Sequence, residues 1–93
     1  MPGGTTSNRF FYVYILQSKI DGDRYVGFTR DLRKRLREHN EGRSFSTAYR
    51  RPFELIYYEA CVSESDARRR EKYMKTTDGR RFLAKRLRDY LSA

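Results

Sequence analysis

This 93-residue chain has little cysteine or histidine and no long apolar run, the features that mark disulfide-bonded, zinc-binding and membrane proteins. Its single cysteine, Cys61, cannot form an intramolecular disulfide, and with one histidine a zinc site built on a cysteine pair is excluded. The longest apolar run, Phe10 to Leu16, has seven residues, whereas a membrane-spanning helix needs about 20. The first residues, MPGGTTSNR, lack the apolar stretch of a signal peptide. We therefore expect a cytoplasmic domain without a membrane partner.

Acidic residues are scarce too, since 12 Asp and Glu stand against 21 Lys and Arg, for a net charge of +9. Between Arg68 and Arg88 there are ten Lys or Arg and two acids, and a second basic cluster lies between Arg30 and Arg37. Domains this basic usually bind a polyanion, because phosphate contacts release counterions. A solvated, solubilising surface is the alternative. We favour nucleic acid over that alternative and over a membrane surface, since no segment combines a basic face with exposed Trp or Phe.

The hydrophobic pattern predicts an α+β fold, with a three-stranded antiparallel sheet flanked by three helices in the order β-β-α-β-α-α. Residues 1–8 form a Gly/Ser/Thr arm that we expect to be disordered, and residues 9–93 form one domain. The first strand, FFYVYILQ, is apolar on both alternating sets, which is typical of a strand covered on both faces. The other strands are expected at 24–28 and 53–62, and the helices at 30–40, 64–75 and 80–90.

Charged residues interrupt the buried stripe of the first predicted helix. Leu32 and Leu36 define that stripe, and at 100° per residue Arg35 and His39 lie on the same side. They are also four residues apart, so their side chains are neighbours.

A similar interruption occurs in the second predicted helix. Ala67 and Met74 set its buried stripe, and the phase of Glu71 turns this acid towards the sheet as well. A charged group on a core-facing stripe carries a desolvation cost unless it is paired or bound to an ion. Such violations of the pattern are where function tends to lie.

Tyrosines add hydroxyl groups to the strands. Tyr12 and Tyr14 share a face of the first strand, and Tyr25 reaches the same face across a hairpin pair. A nearby cation would lower a tyrosine pKa from its usual value near 10. A tyrosine placed against Arg35 and His39 could then orient or deprotonate a water molecule.

Each of these residues also has a purely structural interpretation. Tyr14 and Tyr25 could be core residues with satisfied hydroxyls, and His39 a boundary histidine. Arg35 could belong to a solvated basic run, and Glu71 could pair with a nearby arginine. Their joint placement on one order of strands and helices favours the functional interpretation.

The joint pattern resembles the GIY-YIG nuclease family, and in length it resembles the small stand-alone bacterial members. Tyr12-Val13-Tyr14 and Tyr25-Val26-Gly27 are similar to its two strand motifs, Arg35 and His39 to its helix pair, and Glu71 to its acid. The similarity covers residues 10 to about 76. Departures are Tyr12 and Val13 in place of Gly and Ile, and the lack of an Asn after Asn40.

The resemblance implies a sheet flanked by helices and hydrolysis of DNA phosphodiester bonds with a divalent metal. Tyr14 and Tyr25 would lie beside the attacking water, one of them as general base. Arg35 would hold the scissile phosphate, and His39 would assist proton transfer or orient a tyrosine. Glu71 would hold one Mg²⁺ or Mn²⁺ ion. Some members of the family carry a further polar site residue in the loop after the first helix, and the candidates for it here are Ser46, Thr47 and Tyr49.

The leading hypothesis is thus a metal-dependent DNA endonuclease of repair or recombination. The alternatives are a non-catalytic nucleic-acid-binding module of the same fold and an RNA-binding accessory protein. We expect no second recognition domain, so specificity would come from a protein partner or from DNA shape, and the DNA could be branched or damaged. The residues expected to bind nucleic acid are basic and lie on the predicted helices: Arg33, Lys34, Arg70, Lys72, Lys75, Arg80 and Arg81.

Overall fold

A computed structural model describes residues 9–93, so the predicted arm at 1–8 lies outside the described residues. The three strands are β1 (Phe11–Ser18), β2 (Arg24–Thr29) and β3 (Phe53–Cys61), and a 3₁₀ turn, Ala48–Arg50, precedes β3. The helices are α1 (Leu32–Asn40), α2 (Glu64–Met74), α3 (Thr77–Arg86) and α4 (Arg88–Ser92). The predicted α+β fold, with a three-stranded antiparallel sheet and its element order, is confirmed.

The sheet has the order β2-β1-β3, with antiparallel pairing on both sides of β1. The central position of β1 explains why its sequence is apolar on both faces. Val13 and Ile15 belong to one core cluster, whereas Tyr14 and Leu16 belong to another, and all four are buried.

Each face of the sheet has its own helical cover. Ala67 and Met74 of α2 and Leu83 of α3 pack with Val13 and Ile15. On the other face, Leu32 and Leu36 of α1 pack with the cluster that contains Tyr14, Leu16 and Phe53. The predicted stripes of α1 and α2 therefore do face the sheet, from opposite sides.

The strand register brings the two predicted site tyrosines to one face. Tyr14 pairs with Gly27, and Leu16 pairs with Tyr25, and directly paired residues project to the same side of a sheet. Gly27 is required there because a Cβ atom at this position would meet the ring and hydroxyl of Tyr14. The Tyr14 phenol thus lies across β2 towards the edge of the sheet.

The helix ends differ from prediction in two places. The N-cap of α1 is Asp31, whose carboxylate accepts the backbone N–H of Lys34, while Thr29 is the last residue of β2. The third helix begins at Thr77, earlier than expected, because the Thr76 hydroxyl accepts the Gly79 N–H. It then divides at Leu87 into α3 and α4. The N-cap of α2 is Ser63, whose hydroxyl accepts the backbone N–H of Asp66.

No helix within residues 9–93 combines the length and apolar character needed to cross a lipid bilayer.

Candidate active site

The centre of the site is a hydrogen bond between β1 and α1. The Tyr14 hydroxyl lies 2.9 Å from His39 Nε2. Both side chains are buried, with 1% and 0% exposure. His39 reaches the sheet because it follows Leu32 and Leu36 on the inward side of α1, as its phase predicts. A buried polar pair of this kind must satisfy its own hydrogen bonds.

The second ring nitrogen of His39 bonds to the loop after α1. Nδ1 lies 2.8 Å from the hydroxyl of Thr47, which is fully buried. That hydroxyl donates to the Ser44 carbonyl at 3.4 Å, so it accepts from His39. The network therefore assigns the proton to Nδ1 and leaves Nε2 as the acceptor of the Tyr14 hydroxyl proton.

Thr47 is the residue of this loop that completes the site. Ser46 and Tyr49 were equally open candidates by sequence, but both are exposed, Tyr49 with 80% of its surface in solvent. The choice follows from the backbone, since the Thr47 N–H also bonds to the Ser44 carbonyl at 3.1 Å and turns the side chain inward.

Tyr25 of β2 stands beside this pair. Its ring centroid lies 5.0 Å from that of His39 and 6.3 Å from that of Tyr14. The ring is half-buried, whereas Tyr14 is covered. Of the two tyrosines, Tyr25 is therefore the one with direct access to solvent.

Arg35 lies one helical turn before His39 and is held in place. Its Nη1 donates to Glu38 Oε1 at 3.1 Å, and its Nη2 lies 3.5 Å from Ser44 Oγ. Its side chain is 32% exposed, so it is not part of a fully solvated run. Glu38 and Ser44 were not predicted from the sequence. The spacing of three residues between Arg35 and Glu38 on a helix was the available signal for Glu38.

Burial sets the resting protonation of the pair. It raises the pKa of Tyr14 to about 12, with the neighbouring Tyr25 adding to the rise and the Arg35 charge opposing it. Arg35 lowers this pKa, as expected of a nearby cation, but burial outweighs it in the resting site. Burial, followed by the Arg35 charge, lowers the pKa of His39 to about 4. At neutral pH the site holds a phenol and a neutral imidazole.

Glu71 approaches the site from α2. Its side chain is 19% exposed, and its Oε2 accepts from Lys75 Nζ at 3.2 Å. Its charge raises the pKa of Tyr14, so the carboxylate lies within electrostatic range of the phenol. The structural alternative, a pairing of Glu71 with an arginine, is not what the structure contains, since the partner is a lysine that is half in solvent. The structure thus brings Tyr14, Tyr25 and His39 together, with Arg35 beside Tyr14. Glu71 lies on α2, the helix that covers the other face of the sheet, and is linked to this group only through its electrostatic effect on Tyr14.

The predicted nucleic-acid-binding residues lie on both sides of the sheet. All but Arg70 are exposed: Arg33 and Lys34 on α1, Lys72 on α2, Lys75 at its C-cap, and Arg80 and Arg81 on α3. Because α1 covers one face and α2 and α3 the other, these cations flank the sheet instead of forming a single face.

Arg70 is placed differently from the other predicted phosphate contacts. Its guanidinium makes two bonds to Glu59, at 2.8 and 2.9 Å, and lies over the Phe82 ring. A fork that is already occupied by a carboxylate is not free for phosphate. Arg70 therefore ties α2 to β3, and we leave it out of the proposed nucleic-acid surface.

Comparison with known proteins gives a consistent result. A family described as the GIY-YIG catalytic domain matches residues 10–88. The chain is 41% identical to the UPF0213 protein YazA of Bacillus subtilis over 71 residues, which are 75% of this chain and 69% of that protein. It is also 41% identical to the UPF0213 protein SSP2268 of Staphylococcus saprophyticus over 66 residues, covering 70% and 79% of the two chains.

A solved structure agrees with these relatives. The solution NMR structure of the UPF0213 protein BH0048 from Bacillus halodurans has a TM-score of 0.52 and 33% identity, over 82% of this chain and 83% of that one. The match to a GIY-YIG catalytic domain supports a nuclease-type function and nucleic-acid binding. The site geometry and these matches together show that the chain belongs to the GIY-YIG family.

Proposed function

We propose that the protein is a metal-dependent DNA endonuclease that hydrolyses phosphodiester bonds. The observation that carries the proposal is the buried hydrogen bond from Tyr14 to a neutral His39, a pair whose pKa values respond to the charge of Arg35. A phenol that is hydrogen-bonded to a basic imidazole nitrogen can pass on a proton that it receives from water.

The residues present fit one divalent ion. The Glu71 carboxylate is a hard oxygen ligand, and within residues 9–93 its one hydrogen bond is accepted from Lys75. In the same part of the chain, no group of three or more His, Cys, Asp or Glu side chains forms a complete metal site. Mg²⁺ is commonly held by one or two carboxylates, with waters and substrate phosphates completing its shell. A Mg²⁺ or Mn²⁺ ion held by Glu71 would supply charge neutralisation at the phosphate and a more acidic bound water.

The protein's own residues would supply the proton path. As Tyr14 accepts a proton from the attacking water, its own proton moves to His39 Nε2, while Thr47 holds Nδ1–H. With a Tyr14 pKa of about 12 and a His39 pKa of about 4, the resting site at pH 7 contains neither a tyrosinate nor an imidazolium. Because their hydrogen bond lets the phenol pass its proton directly to the imidazole, we assign Tyr14 and His39 to the relay as a unit.

Arg35 would bind the scissile phosphate. Its guanidinium is anchored by Glu38, and about a third of the side chain is open to solvent, so it can donate to phosphate oxygens without first being ordered. Charge that develops on those oxygens strengthens these bonds in the transition state. Tyr25, which is more accessible than Tyr14, would orient the water.

A second candidate function is a nucleic-acid-binding module that does not cut. It is favoured by the raised Tyr14 pKa and by the lack, within the described part of the chain, of a three-ligand metal cluster. The basic residues on α1, α2 and α3 would serve either function.

The biological setting that we propose is DNA repair or recombination in the cytoplasm. Selection of branched or damaged DNA would rest on DNA shape or on a protein partner.

Cleavage assays with Mg²⁺ or Mn²⁺ on plasmid, branched and single-stranded DNA, and on RNA, test the proposal. We expect the native protein to cut DNA, and Glu71→Gln to abolish cutting while DNA binding, measured by fluorescence anisotropy, stays nearly intact. Glu41→Gln is the matched control, because Glu41 is exposed and, among residues 9–93, its carboxylate pairs only with Arg43. If the native protein leaves every substrate uncut, the binding module is the correct function, and cutting of RNA alone would refute a DNA enzyme.

A further inference from the structure

A cleft of about 620 Å³ begins at Tyr25, outside the cluster of Tyr14, His39 and Thr47. It lies between β2, the turn before β2, the loop that contains Arg50, and the junction of α2 with α3. Its volume falls within the roughly 300–1,000 Å³ that is usual for small-molecule sites. Because Tyr25 lines the cleft and also contacts His39, the cleft is continuous with the candidate active site.

The lining of this cleft combines two chemistries. Ile15, Val26 and Met74 contribute apolar surface from the core beneath β2. The charged lining consists of four cations and one carboxylate: Arg24, Arg50, Lys75, Arg80 and Asp23. An apolar floor with an excess of positive charge is suited to a ligand that carries both an anionic group and a hydrophobic one.

Arg50 is not satisfied by the protein. Its side chain is 18% exposed, and its nearest carboxylates, Asp21 and Asp23, lie 3.7 and 3.5 Å away, beyond the length of a good hydrogen bond. Its Nε is buried without any hydrogen-bond partner. A buried cationic donor in this state is costly unless something else pairs with the guanidinium. Asp21 and Asp23 balance the charge of this arginine but leave its Nε–H without a hydrogen bond, which an anion in the cleft could accept.

Arg80 supplies a second cation to the lining of the cleft. It is exposed at the start of α3, and among residues 9–93 its side chain has no ion pair or hydrogen-bond partner. Arg50 and Arg80 come from distant parts of the chain, so their convergence on one cleft is a property of the fold and not of a local basic run.

We propose that this cleft binds one nucleotide of the substrate strand, next to the phosphate that is cut. Arg50 and Arg80 hold its phosphate, and the apolar floor receives its sugar and base. This assignment rests on the proposed function, because it places the neighbouring nucleotide of a DNA substrate. The proposed nucleotide site adds Arg24 and Arg50, which lie outside the basic helices, to the nucleic-acid surface.

The direct test is an NMR titration of the ¹⁵N-labelled protein, without divalent metal, with thymidine 5′-monophosphate, inorganic phosphate and thymidine as separate probes. We expect saturable shifts at the amides of Gly22, Asp23 and Tyr25 and at Arg50 Nε–H. Thymidine 5′-monophosphate should bind at least tenfold more tightly than either phosphate or thymidine, since each of these carries only half of the recognised chemistry.

Two variants separate binding from folding. Arg50→Lys keeps the charge but loses the planar fork, and should weaken thymidine 5′-monophosphate binding about tenfold. Arg80→Gln, at an exposed position, should weaken it severalfold with an unchanged melting temperature. Arg88→Gln is the control of equal charge, because Arg88 is 85% exposed and does not line the cleft.

The outcomes distinguish this inference from the proposed function. Absent shifts, shifts confined to other surfaces, equal binding of inorganic phosphate, or an equal effect of Arg88→Gln would each overturn the nucleotide site. If any of these four results were found for a protein that still cuts DNA, the nucleotide site would be refuted and the nuclease proposal would be supported. Nucleotide binding in the cleft of a protein that cuts no DNA would refute the nuclease and keep the binding site.

Discussion

The two faces of β1 are built on different principles, although adjacent residues of one strand supply them. Val13 and Ile15 pack against apolar residues of α2 and α3. Tyr14, between them in sequence, instead enters a chain of hydrogen bonds through His39 to Thr47. Both faces exclude water almost completely, with exposures of 2% or less for these residues.

The difference shows how a small domain combines stability with chemistry. Apolar burial is non-directional and contributes in proportion to area, so it tolerates small adjustments. A buried polar chain contributes little net stability, and each member becomes costly when its partner is lost. We infer that the α2–α3 face stabilises the sheet, while the α1 face uses that rigidity to hold functional groups at fixed distances.

The largest expected contrast is between substitutions at neighbouring positions of β1. Val13→Ala removes buried apolar surface and should lower the free energy of unfolding by about 1.5–3 kcal/mol, without changing the cleavage rate while the protein is folded. Tyr14→Phe removes the proton relay and should slow DNA cleavage by about 100- to 10,000-fold. Urea unfolding and single-turnover cleavage measure the two effects.

The proposed difference between the two faces would be refuted if Val13→Ala and Tyr14→Phe changed stability and cleavage rate in the same way. A folded Val13→Ala protein that cuts as slowly as Tyr14→Phe would mean that chemistry depends on the packing of both faces. Full activity of Tyr14→Phe would remove the tyrosine from the relay and assign proton transfer to Tyr25.

The second-largest expected effect is a fall in the free energy of unfolding in mild acid, caused by His39 on the α1 face. Burial and Arg35 lower the pKa of His39 from 6.5 to about 4, with Glu38 opposing. Between these values the unfolded chain binds a proton that the folded chain does not, so stability falls as pH decreases from 6.5 to 4, by about 3 kcal/mol in total. Tyr14 and Tyr25 also face the ring, and the raised pKa of Tyr14 keeps this phenol protonated throughout this range.

His39→Gln is the control for the pH effect. The carboxyl groups of Glu59 and Glu64 have lowered pKa values, through Arg70 and Arg68 respectively, so their loss of stability begins below about pH 4.5 and is shared by both proteins. Chemical unfolding at pH 7.0, 6.0 and 5.0 should therefore give a slope for the native protein and little slope for His39→Gln. Parallel curves would show that His39 titrates normally.

Most of the fold followed from periodicity in the sequence. The two-sided apolar pattern of FFYVYILQ predicted a central strand, and the Leu32–Leu36 stripe predicted the inward face of α1. The ends of α3 were less predictable, since Thr76 and Thr77 are both capping residues and only the observed bond to Gly79 N–H distinguishes them. The break at Leu87 depends on tertiary packing that propensity does not record.

The candidate site was predictable in its members but not in its energetics. Phase placed Arg35, His39 and Glu71 towards the sheet, whereas the rise of the Tyr14 pKa depends on burial depth, which a sequence does not give. Likewise, Arg70 pairs with Glu59 because α2 lies across β3, and that contact requires the assembled fold.

The smallest expected effect concerns Thr47, in the loop that follows α1. Thr47→Val keeps the shape of the side chain but leaves Nδ1–H of a buried His39 without its acceptor, which should cost about 1–2 kcal/mol of stability. The ring can then exchange tautomers, and molecules with the proton on Nε2 cannot accept the Tyr14 proton. We expect cleavage to slow about tenfold, and the ¹⁵N shifts of the His39 ring to move from a single Nδ1–H tautomer towards a mixture.

Two companion variants separate tautomer control from loop packing. Thr47→Ser restores the acceptor without the methyl group, so it should recover most of the cleavage rate and the Nδ1–H signature even if some stability is lost. Ser46→Ala, at the exposed neighbouring position, should leave both unchanged. If Thr47→Val kept a pure Nδ1–H tautomer but still lost activity, the loop would act through its backbone position, and the hydroxyl would have no part in setting the direction of the relay.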